Sequence, residues 1–264
     1  MPPSSPIIWL ASYPKSGNTW LRFMLYAALY GPPKHSIDVT TKIADIHRKL
    51  PTDPDLSGPT YIKTHFELTD QHPQLDRTIK AIHIIRNPRD VMLSTIHYQK
   101  LASSDTNQVI KKHYAKSFMA LHGDPHFAKM GFGTWASNAR SWRTTTRFPV
   151  LPLRYEELKA DPTTQLKGIL SFLEISRTDD QIQQAVTASS FDTMRALEIR
   201  EKNTDKSNDL TKRLFVGSNN ATRKGVYFMN KGESNQSLTA IAPGFDAQFN
   251  AAFKDELVEF GYES

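Results

Sequence analysis

The chain has 264 residues, a formal net charge of +6, an isoelectric point near 9.3 and 39% hydrophobic residues, which suits one large α/β domain or two small ones with a full core. It contains no cysteine, so disulfides, thiolate zinc sites and thiol chemistry are excluded, and no stretch approaches the ~20 apolar residues of a membrane span. Basic residues are dispersed, with no run of five or more; that argues against a polybasic arm for nucleic acid or membrane and leaves either an ordinary basic surface or one that attracts anions.

In chain order, Met1–Pro6 lacks the basic start and long apolar core of a secretory signal, and a cytoplasmic location is expected. Ile7–Ala11 follows as a short apolar run, the pattern of a buried strand. Tyr13–Thr19 then leads into a helix-like stretch near residues 17–30. A helix N-terminus offers unpaired N–H groups and the positive end of a dipole, so this loop is a candidate anion site. It is not a Walker A loop, because Lys15 precedes a single glycine. Ser16, Gly17, Asn18 and Thr19 can still turn their N–H groups toward a phosphate. Gly17 tolerates positive φ and Lys15 adds a point charge. Trp20 is either a core residue or a platform for a planar ligand ring.

Thr60–Lys63 is the second strand-like run, and Thr64-His65 follows it. Extended geometry puts Lys63 and His65 on one face. A lone histidine there is as readily structural as catalytic. Ala81–Ile85 is the third run, succeeded by Arg86-Asn87-Pro88-Arg89-Asp90 and a helix-like stretch near 88–101 that carries Ser94. Arg86 is a candidate bidentate phosphate ligand or one half of a salt bridge. Arg89 and Asp90 read as a pair with each other and receive no ligand role. Residues 99–132, rich in His, Phe and Met, read as a surface insertion or as a lid and acceptor pocket. A helix-like stretch near 134–147 leads to the fourth run, Val150–Leu153, and then to Arg154-Tyr155-Glu156-Glu157. Another helix-like stretch covers 163–174. Residues 200–222 are polar and weakly periodic, a solvated loop or a second lid. Asp38, Asp45 and His47 form no tight ligand pattern, and no metal is assigned.

Strands alternating with helices predict a single α/β domain, with a central, mainly parallel sheet flanked by helices. Ligands of such sheets lie beyond the strand C-termini. Lys15, His65 and Arg86 all fall at that edge, so a polyanionic ligand is expected.

Six short motifs in order resemble those of the cytosolic-type sulfotransferases that use 3′-phosphoadenosine 5′-phosphosulfate (PAPS). Tyr13-Pro14-Lys15-Ser16-Gly17-Asn18-Thr19-Trp20 is similar to the P-loop-like 5′-phosphosulfate loop after the first strand, and Lys63-Thr64-His65 to the Lys-Thr-His element. Arg86–Val91 with Ser94 resembles the 3′-phosphate element. Tyr155-Glu156-Glu157-Leu158 with Asp161-Pro162 resembles the adenine-side motif, Ser190-Phe191 with Met194 a further signature, and Arg223-Lys224-Gly225 the closing Arg-Lys-Gly. Where the family often continues Gly-Asp-Trp-Lys, this chain has Val226–Gly232. No C-terminal dimer motif is evident, so no oligomeric state is carried over, and the short chain looks like a bacterial or otherwise minimal member.

The resemblance implies PAPS as sulfuryl donor, a small hydroxylated acceptor (alcohol or phenol), and no nucleic-acid partner. It implies His65 as general base and Lys15 as the cation on the leaving side, with Lys63 supporting the transferring oxygens. Ser16, Gly17, Asn18, Thr19 and Trp20 would hold the phosphosulfate side. Tyr155 would hold the adenine side, and Arg86, Ser94, Arg223, Lys224 and Gly225 the 3′-phosphate. The same elements leave two other classes open: a small-molecule kinase, which would want a Walker A loop and a magnesium carboxylate, and a nonenzymatic nucleotide-binding module, which would leave Lys-Thr-His without a use.

Overall fold

Every residue of the first strand, β1 (Ile7–Ala11), is buried, as a central strand of a sheet covered on both faces requires. Its side chains alternate. Ile8 and Leu10 enter a core with Leu21, Met24, Ile82 and Leu166, whereas Ile7, Trp9 and Ala11 pack with Trp142 and Phe148 on the other face. In the computed structural model, which describes residues 5–48, 58–102, 107–204 and 214–262, β1 is joined by β2 (Ala44–Asp45), β3 (Thr60–Thr64), β4 (Thr78–Ile85) and β5 (Val150–Arg154). The order is β2-β3-β1-β4-β5 and every pairing is parallel. All strand C-termini therefore open on one edge.

The sheet has one strand more than the four the apolar runs predict. β2 is two residues long, and half of it is Asp45; no hydrophobic pattern can announce such a strand, which exists only because β3 offers it a partner. The expected runs also lengthen: β3 reaches Thr64, β4 begins at Thr78 and β5 ends at Arg154. Ladder bonds to neighbouring strands carry polar ends that periodicity discards.

Helix α1 (Asn18–Tyr30) leaves the β1 loop directly, and Gly31 closes it by donating its N–H to Ala27 O. α2 (Ser36–Lys42) leads into β2. α3 (Pro88–Ala102) follows β4, with proline in its first turn where no N–H is needed. α4 (Gln108–Ala120) lies within the expected insertion, yet it buries Ala115, Phe118 and Met119. These join Val91, Met92, Trp135, Phe249 and Phe253 in a second core, so much of 99–132 is packed domain. Residues 103–106 of that stretch lie outside the described residues, as do 205–213 of the other expected lid. The helix Trp135–Arg143 stops before the expected 147, ending at Thr144. Pro162–Phe172 starts on an Asp161 side chain that accepts from Thr164 N. Among the described residues no helix is long and apolar enough to cross a membrane.

Candidate active site

The loop after β1 is built around backbone that L-residues resist. Lys15 has φ +70° and Gly17 φ +104°. A Cβ on Gly17 would stand 2.6 Å from Tyr155 Cδ2, so glycine is required for both conformation and space. Asn18 opens α1 and ties the loop back to β1, donating from Nδ2 to Leu10 O (2.9 Å) and Ser12 Oγ (3.2 Å). Ser16 is fully buried, yet among the described residues its Oγ has no hydrogen-bond partner. A buried hydroxyl is expensive to leave unpaired.

The Lys15 ammonium sits 4.1 Å from the centre of the Tyr98 ring and 4.8 Å from that of Phe228. Burial lowers its pKa to about 7, and Arg86 and then Lys63 push it further in the same direction. Nearby cations thus add to desolvation instead of relieving it, which is the electrostatics of a site shaped for an anion.

Arg86 is buried after β4. Its guanidinium lies 4.2 Å from the Tyr155 ring centre and donates to Lys15 O (3.3 Å) and Glu233 O (2.6 Å). Its Nε has no partner among the described residues. Tyr155 touches Trp20 edge-on at 5.6 Å and donates from its hydroxyl to Gly232 O at 3.3 Å. Trp20 is half-buried and packs beside two cores. Ser94 is half-buried on α3, two turns beyond Arg86.

Arg223, Lys224 and Gly225 are exposed at the end of a short helix, Asn219–Arg223. That helix is tethered to the far end of α3 by Ser218 N donating to Leu101 O. The segment that meets Arg86 and Tyr155 is instead Gly232–Glu233. Two buried carboxylates hold its flanks. Glu198 accepts from Phe228 N (2.6 Å) and Met229 N (2.8 Å). Asp90 accepts from Asn235 N (2.9 Å), Gln236 N (3.2 Å) and Gln236 Nε2 (3.1 Å). Asp90 is therefore not paired with Arg89, which instead bonds Asn250 and lies 3.6 Å from Asp246. Arg154, too, is taken up elsewhere, donating to Phe260 O and Gly261 O.

Beyond β3, His65 Nδ1 lies 2.8 Å from Ser12 O. A carbonyl oxygen only accepts, so Nδ1 carries the proton and the lone pair is on Nε2. Burial, followed by Lys63 and His47, drives the His65 pKa well below the usual imidazole range, which keeps the ring neutral. Asn138 Nδ2 donates to His65 O and Phe132 O and so fixes the turn. Lys63 does not stand free: its Nζ is 3.0 and 3.2 Å from the Asp45 carboxylate. Burial lowers Lys63 to about 8 while Asp45 opposes the shift. Burial alone would raise Asp45, but Lys63 and Arg22 outweigh it and hold the carboxyl at about 2. Arg22 itself donates to Thr40 Oγ1 (3.1 Å) and Ile43 O (2.7 Å).

The structure thus brings Lys15, Ser16, Gly17, Arg86, Tyr155, Lys63 and His65 to one sheet edge. Sequence reasoning sets Asp45 and His47 aside as forming no metal pattern, pairs Asp90 with Arg89 and notes 226–232 only as a departure from the family pattern, so it misses the contacts these residues make, and those of Glu198. Only the matched spacing of Asp45-Ile46-His47 and Lys63-Thr64-His65 could have pointed to the first two.

A glycine-dependent loop after β1, a histidine after β3 and an arginine after β4 thus converge at the C-terminal edge of a parallel five-stranded sheet, where ligands of such sheets bind. The family model described as "Sulfotransferase domain" matches residues 5–242, and the chain belongs to the sulfotransferase family. It is 25% identical over 261 residues to Sulfotransferase 1A1 of Canis lupus familiaris, covering 94% of this chain and 82% of that one. It is 28% identical to Sulfotransferase 1A1 of Mus musculus over 71% of this chain and 66% of the relative, so that match spans just under two thirds of the mouse protein. In fold it is similar to mouse sulfotransferase SULT7A1 complexed with PAP (TM-score 0.63, 21% identity, 96% of this chain and 84% of that one). It is also similar to retinol dehydratase in a complex with retinol and PAP (TM-score 0.67, 17% identity, 97% and 82%).

Proposed function

We propose that this protein transfers a sulfuryl group from PAPS to the hydroxyl of a small-molecule alcohol or phenol. The observation that carries the reading is the β1 loop: a buried Ser16 Oγ without a partner among the described residues, beside a Lys15 whose strongest charged neighbours are two more cations. Such a cradle fits a phosphosulfate and has no evident use without an anion.

Bound PAPS supplies an activated sulfuryl group on a phosphate leaving oxygen. Lys15 and the loop N–H groups face that oxygen and counter the charge that grows on it, a gain realised mostly in the transition state. Ser16 Oγ donates a hydrogen bond to the same group. His65 Nε2, bare because Nδ1 is held by Ser12 O, takes the proton of the acceptor hydroxyl. Lys63, kept in place by Asp45, steadies the transferring oxygens. Arg86 and Ser94 hold the 3′-phosphate, and Trp20 and Tyr155 the base. In this reading the 230–233 segment, which reaches Arg86 through Glu233 O, closes the nucleotide side, and Lys231, an exposed cation 3.5 Å from the Glu233 carboxylate, joins Arg223 and Lys224 as a candidate for the 3′-phosphate. The mouse relative of similar fold is complexed with PAP, which supports the donor.

The test combines turnover with labelled PAPS and calorimetric binding of PAP. His65→Ala is expected to lower kcat by about 10²–10⁴-fold, the usual range for a general base, and to leave PAP affinity unchanged. Full turnover in that variant at saturating substrate would remove His65 as base; failure of the wild type to bind PAP would remove the donor assignment.

A further inference from the structure

The edge strand β2 and the strand beside it carry the same spacing of polar groups, Asp45-Ile46-His47 and Lys63-Thr64-His65. The parallel register pairs Asp45 with Lys63. Because alternate strand residues share a face, the next pair along that edge is His47 with His65. β2 ends at Asp45, and the last ladder bond runs from Ile46 N to Lys63 O at 3.2 Å. The His65 amide then donates to a side chain: His65 N lies 2.8 Å from His47 Nε2. An amide N–H only donates, so His47 Nε2 must be unprotonated.

The two imidazoles also stack, 11° from parallel with ring centres 5.5 Å apart. Phe66 and Phe132 brace His47 edge-on at 4.6 and 4.9 Å. His47 N donates to Asp45 Oδ1 at 3.1 Å, which joins the turn to the carboxylate that holds Lys63. Burial lowers His47 to about 4, and Lys63 acts in the same direction; the acceptor lone pair is thus present at neutral pH.

We propose that His47 is a positioning residue for His65: its Nε2 clamps the His65 amide and its ring lies along the His65 imidazole, so that Nδ1 stays on Ser12 O and Nε2 is left for the acceptor hydroxyl. The proposal rests on the reading of His65 as general base. His47 touches neither donor nor acceptor in this scheme. Its removal loosens the base without altering the phosphosulfate cradle.

Two variants separate clamp from bulk. His47→Phe keeps a stacked ring and the apolar fit against Phe66 and Phe132 but has no acceptor. His47→Gln can place an amide oxygen where Nε2 stood. We expect His47→Phe to lower kcat by about 10-fold or more, as small misplacements of reacting groups do, with PAP affinity within about two-fold of wild type, and His47→Gln to recover most of that loss. Wild-type kcat in His47→Phe overturns the proposal, and so does a His47→Gln variant no better than His47→Phe. His65→Ala is run beside them. Turnover retained there removes the base assignment and this proposal with it; turnover lost there but intact in His47→Phe removes this proposal alone.

Discussion

At the scale of single residues, the site depends on side chains whose ordinary chemistry has been displaced. Lys15, lowered to about 7 by burial and by Arg86 and Lys63, is partly neutral in the free protein near pH 7. A bound polyanion favours the charged form, so binding is linked to proton uptake. PAP affinity should therefore weaken as pH rises from about 7 toward 9, and titrations in buffers of different ionisation enthalpy should reveal the proton. Lys15→Arg, charged throughout that range, should flatten the dependence; a wild-type affinity independent of pH would contradict this account of Lys15. Gly17 offers a steric counterpart. Gly17→Ala demands a Cβ 2.6 Å from Tyr155 at φ +104°. The strain should lower stability by about 1–3 kcal/mol and weaken PAP binding as Tyr155 is displaced, both readable by urea unfolding and calorimetry.

Elements act through their ends. Most of the functional residues lie at the C-terminal end of a parallel strand or in the loop or first turn after it, Ser94 and Lys231 being exceptions, and their orientation comes from neighbouring elements: Asn18 on α1 reaches back to β1, and Asn138 reaches across to His65. The segment 227–236 is irregular, and buried carboxylates on two helices take the place of a ladder. Asp90 accepts three bonds from 235–236. Asp90→Ala leaves those donors without their charged partner and should reduce stability by about 1.5–3 kcal/mol, the scale of a hydrogen bond to a charged group. It should also weaken PAP binding, because Glu233 O no longer fixes Arg86. Unchanged PAP affinity in a folded Asp90→Ala protein would show that the segment does not shape the nucleotide side. Glu198 has a second duty, as its carboxylate lies 2.7 Å from the buried Lys202 ammonium.

Over the whole molecule, the number of histidines kept neutral by burial sets the acid limit. His83 is lowered to about 3, His47 and His72 to about 4, and His65 well below its ordinary value, burial being the first cause in each. Between about pH 4 and 6.5 the unfolded chain binds protons that the folded one refuses. Stability is thus fully present above about pH 6.5 and is lost as pH falls, by up to ~1.4 kcal/mol per pH unit for each such group. Asp45, held at about 2, keeps its contribution across that window. Urea midpoints should accordingly decline between pH 7 and 5; a flat profile would mean that these rings ionise freely.

The alternation of apolar runs with amphipathic stretches suffices to predict a parallel α/β sheet, because burial on both faces leaves its mark in consecutive residues such as Ile7–Ala11. Local motifs with their own backbone demands were equally legible: a loop that needs Gly17 at positive φ, and a histidine two residues past Lys63. What depended on distant contacts was not. β2 is too short and polar to leave a pattern, so the carboxylate on Lys63 and the imidazole under His65 stayed hidden until β3 gave them a register. Arg-Lys-Gly at 223–225 reads as the closing motif from its letters alone, yet Gly232 and Glu233 are the residues that touch Tyr155 and Arg86. Strand and loop chemistry act over a few neighbouring residues and are written there. Which segment closes over a cation is decided by buried groups such as Asp90 and Glu198, far away in sequence, whose partners only the folded chain brings within hydrogen-bond reach.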